Sequence, residues 1–214
     1  MNHNSEKTRN RILLAAADIF TGRGYRATTI RQICGRANAN VAAVNYHFES
    51  KAKLYVETCR FIFRDAGALN RSRQPVQVHN AEEWQRELRE WIHSLLESIT
   101  NPARTHIWEC RMFSRERTDP SGVLPVLMKE FFLPIKERLE QLLQFGMPPD
   151  ADGADLKIWS VHLLAQCTIY AQREPPWDEL LFPPGLSREE WLQRATQQIL
   201  DGILCRLSFR SKNT

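Results

Sequence analysis

Apolar residues recur at helical spacing almost from the start of the chain. Between about Lys7 and Thr21, Ile12, Leu13, Ala16, Ile19 and Phe20 fall at i, i+1, i+4, i+7 and i+8, which predicts an amphipathic helix with one buried face. Gly22 and Gly24 in "GRGY" can take left-handed backbone and end it. A second stripe, Ile30, Ile33, Cys34 and Ala37, follows Thr28, which reads as its N-cap. Asn38 suits the left-handed position of the next turn. Asn40 then caps a third helix from Val41 to about His47, with Val41, Val44 and Phe48 on the inward face. Ser50 opens a fourth, longer helix through Leu54, Tyr55, Phe61 and Ile62 towards Leu69.

The remainder also reads as helix. "NAEE" at 80–83 and "SREE" at 187–190 have the form of capping boxes, each opening a long periodic segment. Pro102, Pro120, Pro148 and Pro149 punctuate the helices between, Pro134 is expected to kink the segment from Val123 to Gln144, and "REPPWDELLFPPGLS" reads as a proline-rich connection. There is no internal repeat and no strand-like alternation. The expected fold is all-α. An N-terminal three-helix head, in which two short helices and a tight turn form a helix-turn-helix, is joined by the fourth helix to a larger helical body. The division is placed at 1–52 and 53–214.

Charge sharpens this picture. The net charge of +4 conceals ten Lys/Arg against four Asp/Glu in residues 1–60, and nineteen against twenty-one in the rest. A basic head on a near-neutral body suits a module that meets a polyanion, although a solvated basic surface would produce the same count. No apolar run approaches membrane-spanning length and the first residues are too polar for a signal peptide, so a cytoplasmic location is expected. The five cysteines, Cys34, Cys59, Cys110, Cys167 and Cys205, are scattered and read as reduced thiols. Gly-x-Ser-x-Gly, a Gly-rich phosphate loop and His-Glu-x-x-His are all missing, and His79, His93, His106 and His162 lack ligand spacing. No enzyme, cofactor or metal site is called for.

The third helix carries the candidate chemistry. With Val44 and Phe48 turned in, Ala42, Ala43, Asn45 and Tyr46 look outward. Small side chains let the backbone approach a major-groove floor, where Val41 or an alanine can touch a thymine methyl and Asn45 can bond adenine at N6 and N7. Lys51, and Thr28 or Thr29 at a helix N-terminus, can meet phosphates. The competing reading is an ordinary surface helix.

Over residues 8–57, "Arg-x-Ile", "Ala-Asn-Ala-Asn" and "Asn-Tyr-His-Phe-x-Ser-Lys-x-x-Leu-Tyr" resemble the signature of TetR-type transcriptional regulators. "SRERTDPSG" and "LPIKERL" resemble the CecR-like subgroup. The resemblance implies a DNA-binding site formed by Thr28, Thr29, Arg31, Asn40, Val41, Ala42, Ala43, Asn45, Tyr46, His47 and Lys51. Tyr46 and His47 stand at the family's backbone-contacting positions, and Arg31 at one that reaches a guanine in some relatives or else a phosphate. Many relatives carry tyrosine or threonine where this chain has Asn45 and Ala43, so their operator preferences do not transfer.

The same resemblance implies an inducer pocket in the body, where Trp108, Met112, Phe113, Phe131, Trp159, His162, Gln166 and Tyr170 are the candidates. Each could equally be bundle core. It also implies a homodimer through the last two helices. The stripe Trp191, Ala195, Ile199, Gly202, Ile203 and Arg206 would face its two-fold mate beside Leu156, Trp159, Leu163 and Tyr170. Consumption of both stripes within one protomer is the alternative. The expected function is a ligand-responsive regulator, a repressor released from a pseudo-palindromic operator by an apolar or aromatic small molecule. A constitutive regulator and a protein-interaction module with a relic helix-turn-helix are the rivals.

Overall fold

The computed structural model describes residues 3–63, 67–101, 104–171 and 177–208, and these are helical with no strand among the described residues. The helices fall into two compact units, one of residues 1–65 with 102–131 and one of 66–101 with 132–214. This grouping differs from a simple cut after residue 52, because two helices from beyond that point pack with the head.

In the first unit α1 (His3–Arg23), α2 (Ile30–Ala37), α3 (Val41–Phe48) and α4 (Lys51–Phe63) are joined by α7 (Arg104–Thr118) and the short α8 (Leu124–Leu127). Ile12, Leu13, Ala16 and Phe20 of α1 are fully buried with Ile33, Val44, Phe48, Leu54 and Tyr55. Local chemistry sets the boundaries. Asn38 takes φ 47°, as the turn demands, and the Asn40 carboxamide oxygen accepts from Ala43 N at 2.7 Å. Ser50 Oγ accepts from Lys53 N at 3.1 Å and so caps α4. The cap of α2 is Thr29 instead of Thr28. Thr29 and Gln32 exchange both bonds of a capping box, while the buried Thr28 hydroxyl donates to Gly24 O at 2.7 Å.

The second unit holds α5 (Gly67–Ser72), α6 (Ala81–Thr100), α9 (Leu133–Gln144), α10 (Gly153–Thr168), α11 (Trp177–Leu181) and α12 (Arg188–Leu204). Its core is Trp84, Leu88, Trp91 and Ile92 of α6, Leu139, Leu142 and Leu143 of α9, and Leu192, Ile199 and Ile203 of α12. Ser187 and Glu190 form the expected capping box of α12, and Asp152 with Asp155 forms another on α10 that the sequence reading passed over. At α6 the Asn80 side chain caps, but the Glu83 carboxylate accepts from His79 N at 2.8 Å instead of from Asn80. Pro134 leaves a π-helical turn at Met128–Phe132 immediately before α9. A proline ring presses on the carbonyl four residues back and offers no N–H, and a wider turn relieves both. The connection after residue 171 contains α11, while residues 172–176 lie outside the described residues.

Candidate nucleic-acid interface

The third helix is short, and its two faces differ sharply. Val44 and Phe48 are buried, whereas Tyr46 is 79% exposed and Ala42 and Asn45 are exposed, with Ala43 and His47 half-buried. Val41, expected to face inward, is instead 43% exposed. Cα–Cβ bonds tilt towards a helix N-terminus, so a first-turn side chain leans over the preceding turn and not over the core. The outward surface thus runs Val41, Ala42, Asn45, Tyr46, with one apolar contact, one small position and one amide able to donate and accept. His47 lies against Tyr46, ring centroids 5.0 Å apart.

The flanks are less uniformly available than composition implies. Arg9 pairs with Glu57 at 2.5 Å, Arg36 with Asp18 at 2.7 Å, Arg26 with Asp119 at 3.4 Å, Lys53 with Glu49, and Arg60 with Glu57 and Glu130. Among the described residues, Lys7, Arg11, Arg23 and Arg31 form no ion pair within the head. Arg31 is exposed on the first turn of α2, beside the capped amides, which is where a phosphate is well received. Arg23 lines the same groove between α1 and α2 and was missed by the sequence reading; no acid stands three or four residues either side of it to neutralise it.

Two of the expected phosphate contacts already have partners within the head. Thr28 spends its hydroxyl on Gly24, so only Thr29 stands exposed at the helix start. Lys51 donates to the Arg26 carbonyl at 3.4 Å and places its ammonium 4.4 Å from the Tyr25 ring centroid; desolvation holds its pKa below the ordinary lysine value. Lys51 therefore staples the start of α4 to the turn after α1.

That turn is gripped from α7 as well. Arg115 donates to Gly22 O at 2.6 Å, Arg26 donates to Pro120 O at 3.4 Å, and the Trp108 indole N–H donates to Asp18 Oδ1 at 3.2 Å. Deeper in, the Tyr55 hydroxyl of α4 donates to the buried Glu116 carboxylate at 2.5 Å, whose other oxygen accepts from Ser121 N at 3.1 Å. Burial raises the Tyr55 pKa far above the ordinary phenol value, so it stays a donor.

The pocket candidates divide between the two units. Trp108, Met112 and Phe131 are buried in the first, Met112 Sδ 3.0 Å from the Tyr55 hydroxyl and Phe131 stacked on Phe63 at 4.8 Å. The side chain of Phe113 lies outside the described residues. In the second unit Trp159 is half-buried and Tyr170 packs on Phe182 and Trp191, but His162 and Gln166 are exposed and so line no interior within it. The expected dimer stripes are likewise interior. Trp191, Ala195, Ile199, Ile203 and Leu163 are buried, and Leu156, Trp159 and Tyr170 pack against the same core, leaving Gly202 and Arg206 exposed.

Residues 12–58 match the family of bacterial regulatory proteins called the tetR family, and residues 84–203 match the C-terminal domain of the HTH-type transcriptional dual regulator CecR. The chain is 27% identical over 172 residues to the dual regulator CecR of Shigella flexneri, covering 75% of this chain and 74% of that protein. Among solved structures it resembles a transcriptional regulator from Rhodococcus sp. Rha1, with a TM-score of 0.63 and 18% identity over 93% of this chain and 97% of that one. It also resembles the ketosteroid transcriptional regulator KstR2 of Mycobacterium tuberculosis, with a TM-score of 0.59 and 19% identity over 94% and 95% of the two chains.

Proposed function

Because the chain belongs to the TetR family, with a CecR-type C-terminal domain, it is a DNA-binding transcriptional regulator and not an enzyme, and we propose that it is a ligand-responsive repressor that binds a pseudo-palindromic operator as a homodimer in the cytoplasm. The observation that carries the specific DNA contact is the outward face of α3, where Val41, Ala42, Asn45 and Tyr46 stand exposed beside Arg31. Residues 1–52 would serve as the DNA-binding part and 53–214 as the sensing and dimerising part, with α7 and α8 packed in the compact unit of the former. A dimer seated across a promoter blocks transcription by occupancy alone. The relative from Shigella is described as a dual regulator, which favours activation at some promoters as a second mode.

The inducer would be an apolar or aromatic molecule entering where Trp108 meets Phe61 and Phe131 meets Phe63, with Met112 buried against Tyr55 in the same unit. Both α4 and α7 hold the head by the Lys51, Arg115 and Tyr55 contacts, so displacing either helix would reorient α3. An inducer preferring the non-binding geometry by about 1–3 kcal/mol changes occupancy several-fold, and DNA must weaken the inducer by the same factor. Dimer contacts would come from the exposed apolar side of α10, Ile158, Val161 and Ala165, continued by Ile169 at its C-cap, with the outward side of α12.

Fluorescence anisotropy on the chain's own upstream DNA against shuffled DNA, at several salt concentrations, tests the reading. Specific binding tighter by about 10³ or more and a negative salt slope are expected. Equal affinity for both DNAs would refute sequence-specific regulation. Phe131→Leu should reduce release by an inducer found in a small-molecule screen while leaving inducer-free DNA affinity nearly intact, and a parental response in that variant would place the pocket elsewhere.

A further inference from the structure

A groove of about 520 Å³ in the second unit runs between α5, α6 and α12, and it is lined by polar and charged residues, three of them arginines, where the residues after 60 are, in sum, slightly acidic. Three arginines, Arg71, Arg89 and Arg194, line it with a single acidic residue, Glu90. Glu90 is already paired with Arg71. Arg89 donates to the side-chain oxygen of Gln197, a neutral partner, and that amide is held in place because its own N–H donates to Asp201 at 2.7 Å. Arg194 forms no ion pair among the described residues, although the Glu190 carboxylate, which caps α12 through Ser187 N and Oγ at 3.0 and 2.8 Å, is close enough to feel its charge. Among the residues that line the groove, arginines thus outnumber carboxylates by two, with Glu190 and Asp201 at its rim. The buried Thr196 hydroxyl and His93 Nδ1, 3.5 Å apart, add hydrogen-bonding groups at its wall.

We propose that this groove binds a small oxyanion, a di- or tricarboxylate or a phosphorylated metabolite. Guanidinium forks match carboxylate and phosphate oxygens in pairs and are less strongly hydrated than ammonium groups, so they release water at small cost when such a ligand enters. The volume is that of a metabolite site. The residues presenting charge sit on α6 and α12, which share the core of the unit, so their spacing is fixed before the ligand arrives. On α12 the groove residues Gln193 and Gln197 lie roughly 140° around the helix from Gln198 and Gly202, while Arg194 stands about 40° from Gln198, on the edge of the groove nearest that flank. The site is independent of the aromatic cluster invoked for an inducer.

Isothermal titration calorimetry of the full-length protein with citrate and with pyrophosphate, at low and high salt, tests the proposal, with DNA affinity measured in parallel to report a folded head. Binding of either probe that weakens with salt is expected, and which probe binds assigns the ligand to carboxylates or to phosphates. Arg89→Gln with Arg194→Gln should lower that affinity by roughly tenfold or more. Arg86→Gln with Arg206→Gln, which removes equal charge from exposed positions outside the groove, should leave it nearly unchanged. Absence of binding by both probes, or an equal loss in the two double variants, would overturn the assignment.

Discussion

Asn45 owes its proposed role to its neighbours as much as to its amide. An exposed alanine one turn earlier lowers the barrier to close approach, and the cap at Asn40 fixes the helix start from which the side chain projects. Asn45→Ala is expected to cost about 1–3 kcal/mol on the cognate site and to relax preference at one base pair. Binding to a randomised-sequence pool should barely change, and an equal loss on both DNAs would exclude direct readout. The cations separate by the same reasoning. Arg31 is exposed and unpaired among the described residues, whereas Lys51 already faces the Tyr25 ring and the Arg26 carbonyl. Arg31→Ala should make the salt slope of DNA binding shallower by about one. Lys51→Ala should change that slope less and cost about 0.5–1 kcal/mol of stability through the lost ring contact. The reverse ranking of slopes would return Lys51 to the DNA surface.

At the level of helices, the most demanding contact joins α6 to the turn after α9. Trp84 is buried, its indole N–H donates to Leu142 O at 2.8 Å, and a Cβ on Gly146 would come within 2.4 Å of its ring. Gly146→Ala should therefore destabilise the second unit by about 1–3 kcal/mol, seen as a lowered Tm, since neither a fully enclosed tryptophan nor the turn can yield cheaply. An unchanged Tm would mean that the turn shifts freely. That pairing joins residues 62 positions apart and leaves no trace in local pattern, which is why it was invisible in the sequence. The head was legible because its chemistry is local: Asn38, Asn40 and Ser50 each act on residues within a turn of themselves. Even Thr29 was readable, since Gln32 three residues on completes the capping pattern that Thr28 lacks. The body was harder for a physical reason. In α10 apolar residues occur on every side, with Leu163 and Cys167 buried and Ile158 and Val161 exposed, so periodicity could find the helix but not its inner face. The α12 stripe of Trp191, Ala195, Ile199 and Ile203, which periodicity offers to a dimer, is buried within the protomer.

For the whole molecule, that exchange of faces decides how two copies can meet. Ile158, Val161 and Ile169 are 53%, 55% and 46% exposed, and with Ala165 between them they form an apolar line along α10 and onto its C-cap. A second copy of the chain, related by a two-fold axis, would cover that line with itself. Six such half-exposed side chains, three from each copy, contribute about 1 kcal/mol apiece. That sum sits near the low end of the roughly 4–15 kcal/mol that association costs, so the line by itself gives only a weak dimer. The outward side of α12 must join it, and Gly202, with open space around its Cα, allows a close approach there. Ile158→Asp with Val161→Asp is accordingly expected to give monomers in sedimentation velocity while cooperative unfolding persists near the parental Tm. Ala195→Asp with Ile199→Asp should instead unfold the second unit, because both positions are buried in its core. A monomer reads one half-site where a dimer reads two in tandem, so operator affinity of the α10 variant should fall by about 10²–10⁴, with half-site binding unchanged. A dimer that survives both aspartates on α10 would move the two-fold axis to another surface, and with it the expected spacing of the operator's inverted half-sites.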